Sequence, residues 1–279
     1  MGIRRERSRL EPSQSLNVIV IDDAKVVAQT MSTVIYCDTI SQLHIEMNRY
    51  SGTTTPHILV LPEFVPPITA RLVQSAFASA AINGGSSIYH SSAVPLYEHR
   101  EESDSCLDDY LKEASRLWLE HRRLLESCDD PIVRFMTEWT AAAGVEVQRL
   151  ELAGQPCFFG QYRCFGGEDI KPHVDAIERE FPTVITRPTQ QWALNISVRA
   201  PRDGGELDIW GDVPSYGEYR GYGLTRPVAE PALRYRPSVG DLYVFEPRFV
   251  HAINASSSPR CALAGFVGVW KDQSIRVWS

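Results

Sequence analysis

No stretch of this chain approaches the roughly 18–20 consecutive apolar residues that a membrane-spanning helix needs. Its longest apolar runs, such as Val18–Ile21 and Ile58–Leu61, are strand-sized, so an integral membrane protein is not expected. Positive charge is also scarce. Lys and Arg number 28 against 35 Asp and Glu, a formal charge of −7, which disfavours a binder of phosphate backbones. No signal peptide is legible: the basic start at Met1–Arg9 runs into polar Pro12–Asn17 where an apolar segment belongs. Glu6 stands where a myristoylation signal wants Ser or Thr. The six cysteines (Cys37, Cys106, Cys128, Cys157, Cys164 and Cys261) include no C-x-x-C pair. In a chain this long without an export signal they read as reduced, and the protein as cytoplasmic. Common catalytic signatures are missing too: there is no G-x-S-x-G elbow, no P-loop lysine and no G-x-G-x-x-G opening a helix.

What is present is the composition of an ordinary globular protein, 43% hydrophobic and 23% charged over 279 residues, enough for one large domain with its own core. Residues 1–16 read as a disordered arm, and 17–279 as a single domain. His57–Leu61 reads as a strand. Pro66-Pro67 opens a helix that presents Ile68, Leu72, Val73, Ala76 and Ala80 on one face. Gly84 to Asp109 reads as loop. An amphipathic helix follows, its stripe running from Leu107 through Tyr110, Leu111, Ala114 and Trp118 to Leu125. His121 falls on that stripe and reads as a packed residue. Asp130, Pro131 and Gly144 punctuate a further helix. After Gly144 the texture changes to short Val/Ile/Phe/Tyr/Trp-rich runs separated by Gly/Pro/Asp turns, the pattern of an antiparallel sandwich or barrel. The fold class is thus α+β, mainly β, with helical support over 17–144 and a β core over 145–279.

Chemistry concentrates in that second half. In His173-Val174-Asp175 the outer residues sit at i and i+2, which a strand points to one face, so both can reach one metal ion. His251 supplies a third donor from a distant strand. Two imidazoles and one carboxylate are the facial set that holds Fe(II) while leaving positions open for a co-substrate and oxygen. The tripeptide alone is common, and its plain reading is a surface turn. Arg260, opening the strand after His251, changes the weight, because its guanidinium could grip a carboxylate through a bidentate pair in the same barrel.

With these elements in order, the chain resembles the Fe(II)/2-oxoglutarate-dependent oxygenases, in the prolyl-hydroxylase-like branch. The resemblance runs from Phe158 to Trp270 through Tyr162, Gly166-Gly167, Pro172-His173-Val174-Asp175, Gly204-Gly205-Glu206-Leu207, Pro237-x-x-Gly240-Asp241-Leu-x-Val-Phe245, His251 and Arg260. Leu61-Pro-Glu-Phe64 is similar to the lead-in segment of that branch. The resemblance implies a double-stranded β-helix, a jelly-roll of the cupin-like kind. It implies iron on His173, Asp175 and His251, with 2-oxoglutarate held by Arg260 and by Tyr162. Many relatives carry Ser or Thr two residues after the arginine, where this chain has Ala262. Retention of Asp175 favours hydroxylation over halogenation, since halogenating relatives vacate that position. The expected reaction couples decarboxylation of 2-oxoglutarate to succinate, using O2, to hydroxylation of an aliphatic C–H.

The segment 210–236 reads as an active-site lid, in which Tyr216, Arg220, Tyr222 and Arg226 are candidate substrate contacts. His90 is another candidate lining residue, and Asn195 is a residue that could face the pocket. The expected substrate is a small molecule, an amino acid, amino-acid derivative or natural product, with neither nucleic acid nor membrane as partner. A protein side-chain hydroxylase is the nearest alternative. A zinc-dependent hydrolase or a metal-binding sensor barrel is the alternative from another class, because zinc takes the same three donors.

Overall fold

The computed structural model describes residues 31–81, 89–91, 104–181, 185–211, 219–220, 223–224 and 229–279, all within one compact unit from Met31 to Ser279. The expected arm over 1–16 lies outside the described residues. The N-terminal half runs β1 (Thr33–Tyr36), α1 (Ile40–Tyr50), β2 (His57–Leu61), α2 (Pro67–Ala81), β3 (Tyr89–Ser91), α3 (Asp104–Leu125) and α4 (Pro131–Ala143). It is followed by β4 (Val147–Arg149), β5 (Glu151–Leu152), β6 (Gln155–Pro156), β7 (Gln161–Phe165), β8 (Ile170–His173), α5 (Ile177–Glu180), β9 (Gln190–Arg199) and β10 (Leu207–Ile209). The chain ends with β11 (Tyr219–Arg220), β12 (Gly223–Leu224), β13 (Leu233–Tyr235), β14 (Leu242–Phe245), β15 (His251–Ile253), β16 (Arg260–Val269) and β17 (Ile275–Trp278). Among the described residues no helix is long and apolar enough to cross a membrane.

Local chemistry explains the helix ends. Thr39 caps α1, its hydroxyl accepting from the Gln42 amide at 3.1 Å. Asp130 caps α4 through bonds from the Ile132 and Val133 amides, and Gly144 closes that helix in the left-handed conformation. The helix after Pro66-Pro67 forms where the punctuation places it, but its buried stripe differs. Ala70, Val73 and Phe77 face inward, while Ile68 and Leu72, expected on the core face, are 64% and 43% exposed. The spacing of Ala70, Val73 and Phe77 fits one helical face equally well, and the stacking of Phe77 on Tyr162 of β7 at 4.4 Å selects it. α3 begins at Asp104, inside the segment read as loop. His121 is packed as expected, 2% exposed between Phe77 and Phe158.

Two sheets carry the rest. The larger has the path β1-β2-β14-β9-β16-β17-β4, with β7 also pairing β16 and β3 pairing β7; β1–β2 and β17–β4 are parallel, the other pairs antiparallel. The smaller is antiparallel in the order β13-β10-β15-β8. Side chains on the larger sheet alternate between two cores. Leu242 and Val244 of β14, Trp192 and Ile196 of β9, and Leu263 and Val267 of β16 pack with Leu43, Val73, Phe77 and Phe135 of the helices. Their neighbours Tyr243, Phe245, Asn195, Arg260, Ala262 and Ala264 face a cavity that the smaller sheet closes with His173, Leu207, His251 and Ile253.

Two glycine segments tie this arrangement together. Gly240 has φ +95°, and a Cβ there would lie 2.4 Å from the Val65 carbonyl. This close approach lets the Val65 amide bond the Gly240 carbonyl at 3.0 Å, anchoring the turn before β14 to the Leu61–Phe64 segment. Gly204 has φ +74°, and its Cβ would fall 2.1 Å from the Ala255 carbonyl, so the Gly204-Gly205 element packs directly on the segment after β15.

One expectation is corrected. The register of β7 and β16 sets Cys164 opposite Cys261, with Cα atoms 4.1 Å apart, and the two are joined in a disulfide. Six scattered thiols in the sequence gave no hint of this, because strands 97 residues apart become neighbours only in the sheet. Cys37, Cys128 and Cys157 remain free thiols; burial pushes Cys37 up to about 11 and Cys157 up to about 12, so these behave as small core residues.

Candidate active site

His173 ends β8 and pairs directly with His251, which opens β15. Their rings lie 4.2 Å apart, and Asp175 follows β8 after one intervening residue. Asp175 Oδ2 is 3.5 Å from His251 Nε2 and 3.8 Å from His173 Nε2. One donor atom from each of the three residues lies within 4.8 Å of the others. Backbone contacts fix this convergence. The Asp175 amide donates to the Pro247 carbonyl at 2.9 Å. The Gln191 side-chain amide donates to the Asp175 carbonyl at 3.1 Å and accepts from the Ile177 amide at 3.2 Å.

Each imidazole is oriented by its other nitrogen. His173 Nδ1 lies 2.7 Å from the Lys171 carbonyl, and His251 Nδ1 lies 3.0 Å from the Phe249 carbonyl. A carbonyl can only accept, so both Nδ1 atoms carry a proton, which turns both Nε2 atoms toward Asp175. Burial, reinforced by the charge of His251, lowers His173 to about 4. Burial pushes Asp175 up, but the facing His173 and His251 outweigh it and hold the carboxyl at about 2. At neutral pH His173 is therefore a neutral imidazole and Asp175 a carboxylate, the forms in which each can ligate a metal.

Arg260 enters the same cavity from the larger sheet. It is 5% exposed and donates from one terminal nitrogen to the Tyr243 hydroxyl, while its other terminal nitrogen is buried without a hydrogen-bond partner. A buried cation with an unsatisfied donor is costly unless a ligand completes it, so the site fits a bound carboxylate at this position. Phe165, Ile170, Leu207 and Phe245 contribute apolar walls to the cavity.

Other candidates fall differently. Tyr162 is a correction. Arg163 and Phe165 face the cavity, so strand alternation turns Tyr162 to the opposite face, where it joins the helical core and stacks on Phe77. The hydroxyl beside Arg260 belongs instead to Tyr243, the unassigned position in the Gly240-Asp241-Leu-x-Val-Phe245 run. Alternation with Phe245 along β14 was the available signal for it. Asn195 lines the cavity, and so does Arg163, which the sequence reading did not single out. His90 and Arg220 lie in β3 and β11, whose backbones alone are described. Tyr216, Tyr222 and Arg226 lie outside the described residues. The root of the 210–236 segment is pinned: the Trp210 indole donates to the Ala229 carbonyl, and Arg234 forms a bidentate pair with Asp208 at 2.7 and 2.8 Å.

No protein-family model matches the chain. Over 159 residues it is 28% identical to an L-gamma-glutamyl-L-propargylglycine hydroxylase of Streptantibioticus cattleyicolor, a match covering 54% of this chain and 59% of that protein's length. The chain thus spans less than two thirds of the hydroxylase. The fold is shared with a solved N-substituted L-amino acid dioxygenase of Burkholderia ambifaria AMMD, at TM-score 0.60 and 15% identity over 85% of this chain and 92% of that one. The same dioxygenase in complex with alpha-KG gives TM-score 0.58 at 17% identity with equal coverage. Both comparisons thus reach oxygenases, in keeping with the resemblance carried by the His173, Asp175, His251 and Arg260 motifs.

Proposed function

We propose that this chain is a non-haem Fe(II)/2-oxoglutarate-dependent dioxygenase that hydroxylates an aliphatic C–H of an amino acid whose nitrogen is substituted. The observation that carries this reading is the pairing, across one cavity, of a His-Asp-His donor set with a buried arginine lacking one partner. A zinc hydrolase needs the donors but has no use for the arginine. The two facing sheets form the double-stranded β-helix on this reading. Residues 31–279 form one catalytic domain whose helices back the larger sheet, and 210–236 is its lid.

His173, Asp175 and His251 would hold Fe(II), and Arg260 with the Tyr243 hydroxyl would hold the distal carboxylate of 2-oxoglutarate. When bound, the iron and its co-substrate supply the activation of O2 needed to oxidise an unactivated C–H bond. The chain's own contribution is placement. The Lys171 and Phe249 carbonyls keep both Nε2 atoms aimed inward, and the apolar walls keep bulk water from the oxidant. Both matched proteins are named for amino-acid compounds carrying a nitrogen substituent, which supports the substrate class.

The test is an aerobic incubation of the full chain with Fe(II), 2-oxoglutarate and a panel of N-acyl and γ-glutamyl amino acids, read for succinate and for a product gaining one oxygen. Parallel incubation with Zn(II) separates oxygenase from hydrolase. Succinate equally absent with both metals across the panel rejects the proposal.

A further inference from the structure

Two guanidinium groups face the cavity, and the proposed co-substrate grip uses one of them. Arg163 in β7 pairs directly with Ala262 in β16, so it shares the cavity face with Arg260, two residues along the same strand. Diagonal neighbours on one sheet face lie about 7–8 Å apart, close enough for like charges to repel where the dielectric is low. The small Ala262 side chain opposite leaves the long arginine room. Arg163 Nε donates to Gln161 Oε1 at 2.6 Å, which fixes the base of the guanidinium fork. Its terminal nitrogens meet no carboxylate among the described residues.

Asp175 is the sole acid among the described lining residues, and it faces the two histidines. With a divalent ion and a dianionic co-substrate in place, the charges of Arg163, Arg260 and Asp175 leave the cavity one positive charge in excess. A monoanion restores neutrality, and a planar fork suits a carboxylate. We propose that Arg163 binds the carboxylate of the prime substrate, selecting amino acids with a free carboxylate. Among the described lining residues no acid is left to receive a free ammonium, which disfavours the unsubstituted zwitterion. This rests on the Fe(II)/2-oxoglutarate reading and assigns a specificity-determining residue within it.

The experiment uses manganese(II)-loaded full-length protein, which binds without turning over. Affinities are measured by titration calorimetry for 2-oxoglutarate and then, on the loaded complex, for N-acetyl-L-leucine and its carboxamide. Wild type is expected to prefer the acid over the amide by about 50-fold, the worth of a charge-assisted bidentate pair. Arg163→Gln should abolish that preference while changing 2-oxoglutarate affinity less than about threefold. Arg163→Lys should retain a part of it. Equal binding of acid and amide to wild type overturns the assignment, as does failure of the acid to bind. A loss that falls on 2-oxoglutarate in the Gln variant also overturns it, giving Arg163 to the co-substrate. Because these are binding measurements, an acid preference that Arg163→Gln removes upholds the assignment even if no succinate forms under iron, a result that would reject the oxygenase reading alone.

Discussion

Replacing Arg260 by glutamine removes a cation but keeps a hydrogen-bonding side chain of moderate length. In the wild type one terminal nitrogen is engaged by the Tyr243 hydroxyl and the other has no partner, so two donors converge where a carboxylate would sit, the free N–H and the hydroxyl. Charge-assisted hydrogen bonds contribute about 1.5–3 kcal/mol each. Losing the ionic component of a two-point grip is thus expected to cost about 3 kcal/mol, or roughly a hundredfold in 2-oxoglutarate affinity. Tyr243→Phe removes a neutral hydroxyl and should cost about 1 kcal/mol, roughly fivefold. Since the two groups touch, the double variant should lose less than the sum. The assay is succinate formation against 2-oxoglutarate concentration, with KM for the prime substrate followed in parallel and circular dichroism confirming the fold. A 2-oxoglutarate requirement that moves less than threefold in Arg260→Gln would refute the carboxylate grip, whatever happens to the prime substrate.

Alanine at His173, Asp175 or His251 should abolish succinate formation with the urea midpoint little changed, because none of the three belongs to the apolar core clusters; unfolding of all three variants would mark a structural metal instead. His121, lowered to about 3 by burial and then by the charge of Arg122, has a folded value below its unfolded 6.5, so the unfolded chain takes up more protons and stability falls as pH drops from 6.5 toward 3. Between pH 7 and pH 5 the wild type should lose about 2 kcal/mol relative to His121→Leu in urea titrations, and parallel losses would remove the assignment. Gly240→Ala should cost at least about 2 kcal/mol, read as a fall in melting temperature, since it forces a side chain into positive φ against the Val65 carbonyl; an unchanged melting point would mean that this turn can relax.

The donor triad was legible because its chemistry is written into residue type and local spacing: His173 and Asp175 share a face over three residues, and His251 precedes a short strand. Punctuation was equally readable at Asp130, Pro131 and Gly144. What escaped was set by partners distant in sequence. Tyr162 and Arg163 are adjacent, and only the pairing of β7 with β16 decides which of them faces the cavity. The same register joins Cys164 to Cys261. Tyr243 hid inside a recognisable run, at a position whose value depends on Arg260 lying two strands away on the same face. The face of α2 turned on a contact with Tyr162 that helical periodicity alone cannot distinguish from its alternatives. β1 and α1 were missed for a plainer reason: Thr33–Tyr36 is short and α1 buries just Ile40, Leu43 and Met47.

The donor histidines stand on the smaller sheet, whereas Arg260 and Tyr243 stand on the larger. Facing sheets pack about 10 Å apart, so on the proposed chemistry the space between them works as a caliper. A keto-diacid must chelate at one jaw and reach the guanidinium at the other. An acid one methylene shorter would let go of one end, and one a methylene longer would have to buckle. Bulk added at Ala193 or Ala264, on the cavity face of the larger sheet, would therefore reset which chain length fits without altering either jaw.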